Sequence, residues 1–438
     1  MRFLVLLVLV SGMVPSVGMA DDWPGWLGPR RDSVWRETGL LERFPEEGLS
    51  VKWRVPVQLG YAGPAVAAGK VFLFDYLLDS GSIKNNPGSR VKLQGRERLL
   101  CLDAATGRTL WKHEYACAYG VSYPSGPRCT PTVDGQRVYT LGTEGHLRCL
   151  RVADGKLLWS RNFTEDYEVE TPIWGFAAHP LVDGDYLYCV VGGEGSVAVA
   201  FDKRDGREVW RALSAGEPGY CPPTMIQHAG CKQLLIWHPD AVNSLDPLSG
   251  KVYWSIPLKP DYSMSIAAPR LLGDYLFASG IGNVGALMKL DRERPAAEVV
   301  WRGRTKMAVY CANSTPFLED GVIYGADCRS GALVAARIDD GTRLWETYQP
   351  TTGARRAGHG TAFLVKNRDR FFLFSESGDL ILARLTAEGY DELDRFHVLE
   401  PTGEAFGRDV VWSHPAFAHR AMFARNDQEL VCVNLAAE

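Results

Sequence analysis

Three histidines stand at equivalent points of the sequence. His179, His359 and His414 each come just before a short strand-like run. Imidazole, phenol, indole and amide groups can hydrogen-bond to or stack on a ligand, and three imidazoles could also bind a metal ion. The residues predicted to bind a ligand are Tyr61, Arg128, Trp174, His179, Tyr220, Asn313, His359, Trp412 and His414.

The sequence lacks the motifs of several common catalytic and metal-binding sites. The chain contains no GxSxG, HExxH, P-loop or CxxC motif, and no cysteine–histidine group has the spacing of zinc ligands. Its ten cysteines would permit disulfides in an exported protein, and Cys311 with Cys328 is the pair to test first. Cys101, Cys149 and Cys432 fall in apolar strand-like runs, where a free thiol acts as a small hydrophobic group.

The composition and net charge do not indicate a nucleic-acid partner. A net charge of -4 over 438 residues gives no basic surface for nucleic acid, so no nucleic-acid partner is expected. Residues 1–20 combine Arg2, an apolar run and Gly18-Met19-Ala20, which together predict a cleavable signal peptide. The run is too short to span a bilayer, and no cysteine follows it as a lipid anchor. A periplasmic or secreted product is expected.

A repeat positions the candidate residues. An Asp, a Gly four residues later and a Trp four residues after that occur three times, and two further copies keep the Gly and Trp but have Arg151 and Arg337 instead of Asp. The predicted structural motif comprises Asp103, Gly107, Trp111, Trp159, Asp202, Gly206, Trp210, Asp246, Gly250, Trp254, Trp301 and Trp345. The Asp and Gly are typical of a turn, and each Trp is predicted to pack between neighbouring units.

The repeat period predicts an all-β fold. The last strands of successive units are about 44 to 51 residues apart, the period of four-stranded propeller blades. The final unit has three strand-like runs, and the strand containing Trp53 supplies its fourth. We therefore predict an eight-bladed β-propeller of four-stranded antiparallel blades over residues 49–438, closed by the N-terminal strand. Residues 21–48, rich in Trp, Pro and Gly, are predicted to form an ordered strap packed on the propeller.

The Asp-x3-Gly-x3-Trp signature resembles the tryptophan-docking motif of the pyrroloquinoline-quinone (PQQ) repeat superfamily. That superfamily holds the quinoprotein alcohol dehydrogenases and the propeller subunit of the outer-membrane barrel-assembly machinery. The N-terminal WPGWLGPRRD segment is similar to the opening of exported PQQ-like propellers of planctomycete-type bacteria.

The resemblance to quinoprotein dehydrogenases implies a vicinal cysteine pair on the quinone and carboxylate and amide ligands for calcium. This chain has no adjacent cysteines, and Asn313 and Asp409 are the only fragments of such a ligand set. The sequence therefore favours no cofactor, with PQQ and calcium as the alternative.

The nine candidate residues precede the first strands of blades and are therefore expected around one mouth of the channel. His179 is about half a turn from the other two histidines, so no metal site is predicted there. Two long segments, residues 76–98 and 164–176, are expected as loops on the same face.

The predicted function is an exported, non-enzymatic binding or scaffold propeller whose mouth contacts a protein, peptide or glycan. A PQQ-dependent oxidoreductase and a carbohydrate-binding propeller are the alternatives.

Overall fold

The computed structural model describes residues 21–437, and the predicted signal peptide lies outside this range. Eight four-stranded antiparallel sheets follow one another along the chain. The first strands of neighbouring sheets contact each other, which places them innermost around a central channel. The prediction of an eight-bladed propeller is confirmed.

Each blade contains four strands, which run in order from the innermost to the outermost. Blade 1 contains Ala65–Ala67, Lys70–Ser80, Val91–Asp103 and Thr109–Ala116, and blade 2 contains Thr132–Asp134, Arg137–Leu141, His146–Arg151 and Leu157–Asn162. Blade 3 contains Leu181–Asp183, Tyr186–Val190, Ala198–Asp202 and Glu208–Ala212, and blade 4 contains Thr224–His228, Cys231–His238, Ala241–Leu245 and Val252–Pro257. Blade 5 contains Arg270–Leu272, Tyr275–Gly280, Val284–Leu290 and Ala297–Arg302, and blade 6 contains Phe317–Glu319, Val322–Ala326, Leu333–Arg337 and Arg343–Thr347. Blade 7 contains Ala362–Asn367, Arg370–Ser375, Asp379–Leu385 and Tyr390–His397, and blade 8 contains Ala416–Ala418, Ala421–Arg425, Glu429–Asn434 and Val51–Pro56.

Little structure lies outside the blades. A strand at Tyr119–Val121 pairs with the start of Val91–Asp103, and Gly403–Ala405 forms a hairpin with Arg408–Val410. The helical turns are Phe163–Asp166 and Asp261–Ser263. No helix within residues 21–437 is long and apolar enough to cross a membrane.

The N-terminal strand closes the ring, as predicted. Val51–Pro56 is antiparallel to Glu429–Asn434 and forms the outermost strand of blade 8. The two ends of the propeller sequence thus complete one sheet. This pairing joins the last blade to the start of the propeller and closes the ring.

The repeated motif joins each blade to the next. Gly155 of blade 2 has a φ of 71°, and a Cβ there would lie 2.5 Å from the Trp111 indole of blade 1. Trp111 Nε1 also donates to the Val152 carbonyl at 3.0 Å. Comparable bonds to carbonyls of the next blade are made by Trp53, Trp159, Trp210, Trp301 and Trp345.

Two positions depart from this pattern. Trp254 donates to Gln233 of its own blade at 3.1 Å, and Pro295 stands at the motif glycine position of blade 5. Phe396 replaces Trp in blade 7 and packs against Gly48, which stands just before the closing strand. The docking contact therefore continues across the junction of the chain ends.

The core is divided among the blade interfaces. Each large cluster of buried side chains combines residues of adjacent blades, as blades 4 and 5 do around Trp237. The ten cysteines carry free thiols, and nine of them are buried. Cys311 and Cys328 are among these free thiols, so the suggested disulfide is absent from the structure.

Residues 23–35 of the strap run across the central channel. Trp23 pairs with Val66 of blade 1, while Trp35 N–H donates to the Lys366 carbonyl of blade 7 at 2.8 Å. Between them, Arg31 Nη1 donates to the Pro180 carbonyl of blade 3 at 2.9 Å. Trp23, Trp26 and Trp35 are 2%, 5% and 1% exposed. Trp23 and Trp35 pack in the buried cluster shared by blades 7, 8 and 1, and Trp26 lines the channel.

The insertion in blade 1 differs from expectation. Residues 76–98 are expected from the sequence to form a loop, but strands continue to Ser80 and resume at Val91. The hairpin is thereby extended, and its tip at Pro87 and Gly88 reaches the channel mouth. Residues 164–176 begin in the helical turn Phe163–Asp166 and then continue without regular structure.

Substitution of the motif glycine tests the docking contact. We expect Gly155→Ala to lower the free energy of unfolding by about 2–5 kcal/mol, because left-handed backbone costs about 1–2 and overpacking about 1–3 kcal/mol. Gly135 in the same blade has a φ of 55° and open space around it, so Gly135→Ala should cost only about 1–2 kcal/mol. Chemical denaturation of both variants measures the difference, and equal losses would contradict the contact.

Candidate ligand-binding site

A cavity of about 730 Å³ opens at one mouth of the channel; we call it the mouth cavity. The loops that lead from each outermost strand to the next innermost strand supply most of its wall. All nine residues singled out in the sequence lie on this wall. The repeat thus places residues that are hundreds of positions apart around one space.

Trp26 of the strap forms the floor of the mouth cavity. Its indole stacks on His179, with centroids 4.9 Å apart and planes 25° apart. Trp26 Nε1 points across the channel to His414 Nε2 at 3.4 Å. The Arg31 guanidinium lies 5.2 Å from the indole centroid. The two histidines face each other across an aromatic ring, so the strap turns an open channel into a closed-bottom cavity.

The histidines in the cavity are held neutral. Burial lowers the pKa of His414 to about 3 and places that of His179 well below its usual range, where His414 and Arg31 add repulsion. Neither ring nitrogen of His179, which is 8% exposed, finds a hydrogen-bond partner. The Tyr220 hydroxyl, in a side chain 4% exposed, also lacks one. These buried polar atoms have capacity to bind a ligand.

His359 lies at the opposite wall beneath an aromatic residue. Its ring stacks on Phe406 at 4.6 Å with planes 5° apart. Asn313 Oδ1 is 3.4 Å from His359 Nδ1, and Cys328 Sγ is 3.6 Å from the same nitrogen. Burial, with a smaller contribution from Arg408, lowers the pKa of His359 to about 4.

Arg128 is the one cation on the described wall, and its hydrogen bonds are already made. Its guanidinium donates to the carbonyls of Ser122, Tyr123 and Trp174 at 2.9, 2.6 and 2.8 Å. It also lies 5.3 Å from the Tyr61 ring. Arg128 therefore fixes the loops that carry Tyr123 and Trp174.

Carboxylates are kept out of the described wall. Trp412 Nε1 donates to Glu376 at 3.1 Å, and Arg408 pairs with the same carboxylate at 2.6 Å. Glu376 is 3% exposed and lies behind Trp412, outside the cavity. No Asp or Glu occurs among the described lining residues. The cavity is consequently aromatic and nearly uncharged.

Four residues on this wall have left-handed backbone. Tyr123, Tyr262, His359 and Phe406 have φ values of 48°, 59°, 60° and 50°, in the left-handed region that bulky residues avoid. Such residues cost about 1–3 kcal/mol each and cluster at ligand-binding and active sites. Tyr262 and Phe406 are 75% and 50% exposed and form an aromatic rim.

Sequence reasoning missed several wall residues. Trp26 is predicted to be ordered with the strap, but nothing in the spacing places it in the channel. Tyr123, Tyr262 and Phe406 lie in segments outside the repeat pattern. Only their aromatic side chains, close in sequence to predicted ring positions, could have indicated them.

Comparison with known proteins places the chain in a family. Residues 95–296 and 238–438 match the family model described as "Outer membrane protein assembly factor BamB". The chain belongs to this family. The resemblance noted from the repeated motif is therefore confirmed. No curated protein matches the BamB-family chain by sequence.

Solved structures share the fold of this BamB-family propeller. BamB from Moraxella catarrhalis is 15% identical, with a TM-score of 0.55, covering 89% of this chain and 98% of that chain. Quinohemoprotein alcohol dehydrogenase from Comamonas testosteroni is 12% identical, with a TM-score of 0.59 and coverage of 95% and 81%. The corresponding enzyme ADHIIG from Pseudomonas putida HK5 is 13% identical, with a TM-score of 0.51 and coverage of 95% and 80%.

The mouth cavity does not suit calcium-bound PQQ. Calcium takes six to eight oxygen ligands, commonly including carboxylates. Asn313 is the one side-chain amide on the described wall, no carboxylate accompanies it, and Asp409 is not among the wall residues. Arg128, the one cation on the described wall that could pair with carboxylates of a quinone, already donates to carbonyls.

The neutral histidines predict acid sensitivity. Folding lowers the pKa of His359 and His414 below the usual 6.5. The unfolded chain therefore binds more protons between pH 6.5 and about 4 for His359, and between pH 6.5 and about 3 for His414. Their stabilising contribution is complete above pH 6.5 and is lost as the pH falls. We expect the melting temperature to drop over this interval and His414→Gln, which cannot titrate, to reduce the drop.

The exposed His397 provides the control. It lies outside the mouth cavity, so His397→Gln should not reduce the acid-induced loss. Melting curves from pH 7 to 4 compare the variants. An unchanged drop in His414→Gln would show that the cavity does not hold this imidazole neutral.

Proposed function

We propose that this propeller is a non-enzymatic binding module whose mouth cavity accepts an uncharged, apolar segment of a partner protein. One observation carries the proposal: a closed-bottom cavity of about 730 Å³ has aromatic rings on its floor, wall and rim and no described carboxylate. Such a space favours apolar and aromatic side chains, with a few polar groups to orient them.

The polar groups support a neutral ligand. His179, His359 and His414 are uncharged near pH 7 because folding lowers their pKa values. A cationic side chain would lose its hydration at this wall without gaining an opposite charge. An anionic one would find only Arg128, whose guanidinium already donates to carbonyls. The free nitrogens of His179 and the Tyr220 hydroxyl suit amide groups of a peptide backbone.

The rim favours a protein over a glycan. Tyr262 and Phe406 extend the apolar wall onto the outer surface, as expected of a face that receives a larger partner. A sugar ring presents several hydroxyls, and Asn313 is the one amide side chain on the described wall. Glycan binding, with Trp174, Trp412 and Tyr61 as stacking surfaces, is the alternative that the experiment below separates.

The family favours a role in the cell envelope. Its description names an assembly factor for outer membrane proteins, which indicates an interaction with other proteins. Residues 1–20 have the pattern of a signal peptide. We therefore place the proposed binding activity in the periplasm or outside the cell, without PQQ or another cofactor.

Fluorescence titration with defined peptides tests this function. The probes are capped decapeptides alternating Phe or Val with Ser or Gln, the same peptides with Asp and Lys replacing the apolar residues, and a neutral cello-oligosaccharide. We expect only the first to change the emission of Trp174 and Trp412. Phe406→Ala should weaken that binding about tenfold or more, because an aromatic contact with the peptide at the rim is lost.

Leu248→Ala is the matched control. Leu248 is 70% exposed but lies in a turn between the third and fourth strands, on the opposite face of the propeller. Its removal should leave binding unchanged. Binding of the oligosaccharide alone would show that the cavity binds glycans. Equal effects of Phe406→Ala and Leu248→Ala would show that the mouth is not the binding face.

A further inference from the structure

A fully buried carboxylate lies between blades 1 and 2, beside the mouth cavity. Glu97 is on the third strand of blade 1 and has no exposed surface. Among the described residues, no Lys, Arg or His lies within salt-bridge distance of it. Buried charges in proteins are paired with an opposite charge or coordinate a metal ion.

Three donors hydrogen-bond to this carboxylate. Tyr119 Oη and Thr143 N–H donate to Glu97 Oε1 at 2.7 and 2.8 Å, and the Tyr115 hydroxyl donates to Oε2. A carboxylate has about four lone-pair positions, so one position on Oε2 stays free. A Cβ at Gly142 would lie 2.1 Å from Oε2, and the absence of a side chain there preserves this space.

A thiol and an imidazole lie next to the free position. Cys117 follows the fourth strand of blade 1, and His146 begins the third strand of blade 2. One ligand atom from each of Glu97, Cys117 and His146 lies within 4.8 Å of the others. Cys117 Sγ is 3.7 Å from His146 Nδ1. Tetrahedral zinc with its usual bond lengths separates a sulfur and a nitrogen ligand by about 3.6 Å.

We propose that Glu97, Cys117 and His146 bind a divalent transition-metal ion of the zinc class. Oxygen, sulfur and nitrogen donors in a three-residue set suit zinc, and water completes a tetrahedral site. The ion neutralises the buried carboxylate and joins the first two blades. It lies outside the set of residues assigned to peptide binding.

Neighbouring groups orient the ligands. Tyr76 Oη donates to the Cys117 carbonyl at 3.0 Å, and Cys117 N–H donates to the Gly95 carbonyl at 2.9 Å. Tyr119 connects Glu97 to Thr143, whose hydroxyl is 3.0 Å from the Tyr119 oxygen. Hydrogen-bonded neighbours of this kind set the orientation and basicity of metal ligands.

Cobalt(II) titration of the full chain, purified under reducing conditions and stripped with chelator, tests the site. We expect one Co²⁺ per chain, with a thiolate-to-cobalt charge-transfer band that Zn²⁺ removes. Cys117→Ser should abolish the band, and Cys231→Ser, at a partly exposed thiol of blade 4, should retain it. Tyr119→Phe should keep the band with about 10- to 100-fold weaker affinity.

His146→Gln provides a second test of the site in case Cys117→Ser does not fold. It should also remove tight binding, and melting curves without metal establish that each variant is folded. The absence of a stoichiometric charge-transfer band in the wild-type chain overturns the proposal. A band that survives in Cys117→Ser, or that disappears in Cys231→Ser, assigns the metal to another thiol and overturns it as well.

Discussion

The contact of Trp26 with His179 and His414 is the interaction on which the mouth of this propeller depends. Eight blades leave a channel along their axis, and a stable protein must fill or solvate it. In this chain the strap crosses that channel and bonds to innermost strands of several blades. The indole of Trp26 then separates two imidazoles that the blade geometry alone would leave facing open solvent.

Filling the channel has electrostatic consequences. The floor excludes water from His179 and His414, and this burial accounts for their lowered pKa values. The surrounding scaffold also keeps Tyr262 and Phe406 in left-handed backbone conformations that an isolated loop would not adopt. A neutral aromatic cavity and a strained aromatic rim thus share one structural origin, the rigid ring of blades closed by its own N-terminus.

The sequence predicts the repeating part of this structure well. The spacing from Trp111 to Trp345 fixes the blade period, and the strand containing Trp53 is identified because the last unit lacks a partner. The same periodicity brings the nine mouth residues to one face, because equivalent positions in successive blades lie at the same distance from the propeller axis and at the same level along it.

Features without periodicity escape prediction. The strap occurs once, so its composition indicates order but not its path, and Trp26 could not be assigned to the channel. Trp254 has the motif spacing yet bonds within its own blade, and Pro295 takes the place of the partner glycine in the next. Glu97, Cys117 and His146 come from three separate segments, the last two 29 positions apart, and no spacing rule joins them.

Amide hydrogen exchange of the full chain tests the central claim that the strap is an integral floor of the channel. The account predicts that Trp23 and Trp35, whose N–H groups donate to blades 1 and 7, exchange as slowly as the inner strands they contact. Exchange of residues 23–35 as fast as that of the exposed loop at residues 353–356 would contradict it and leave the mouth cavity without a fixed floor.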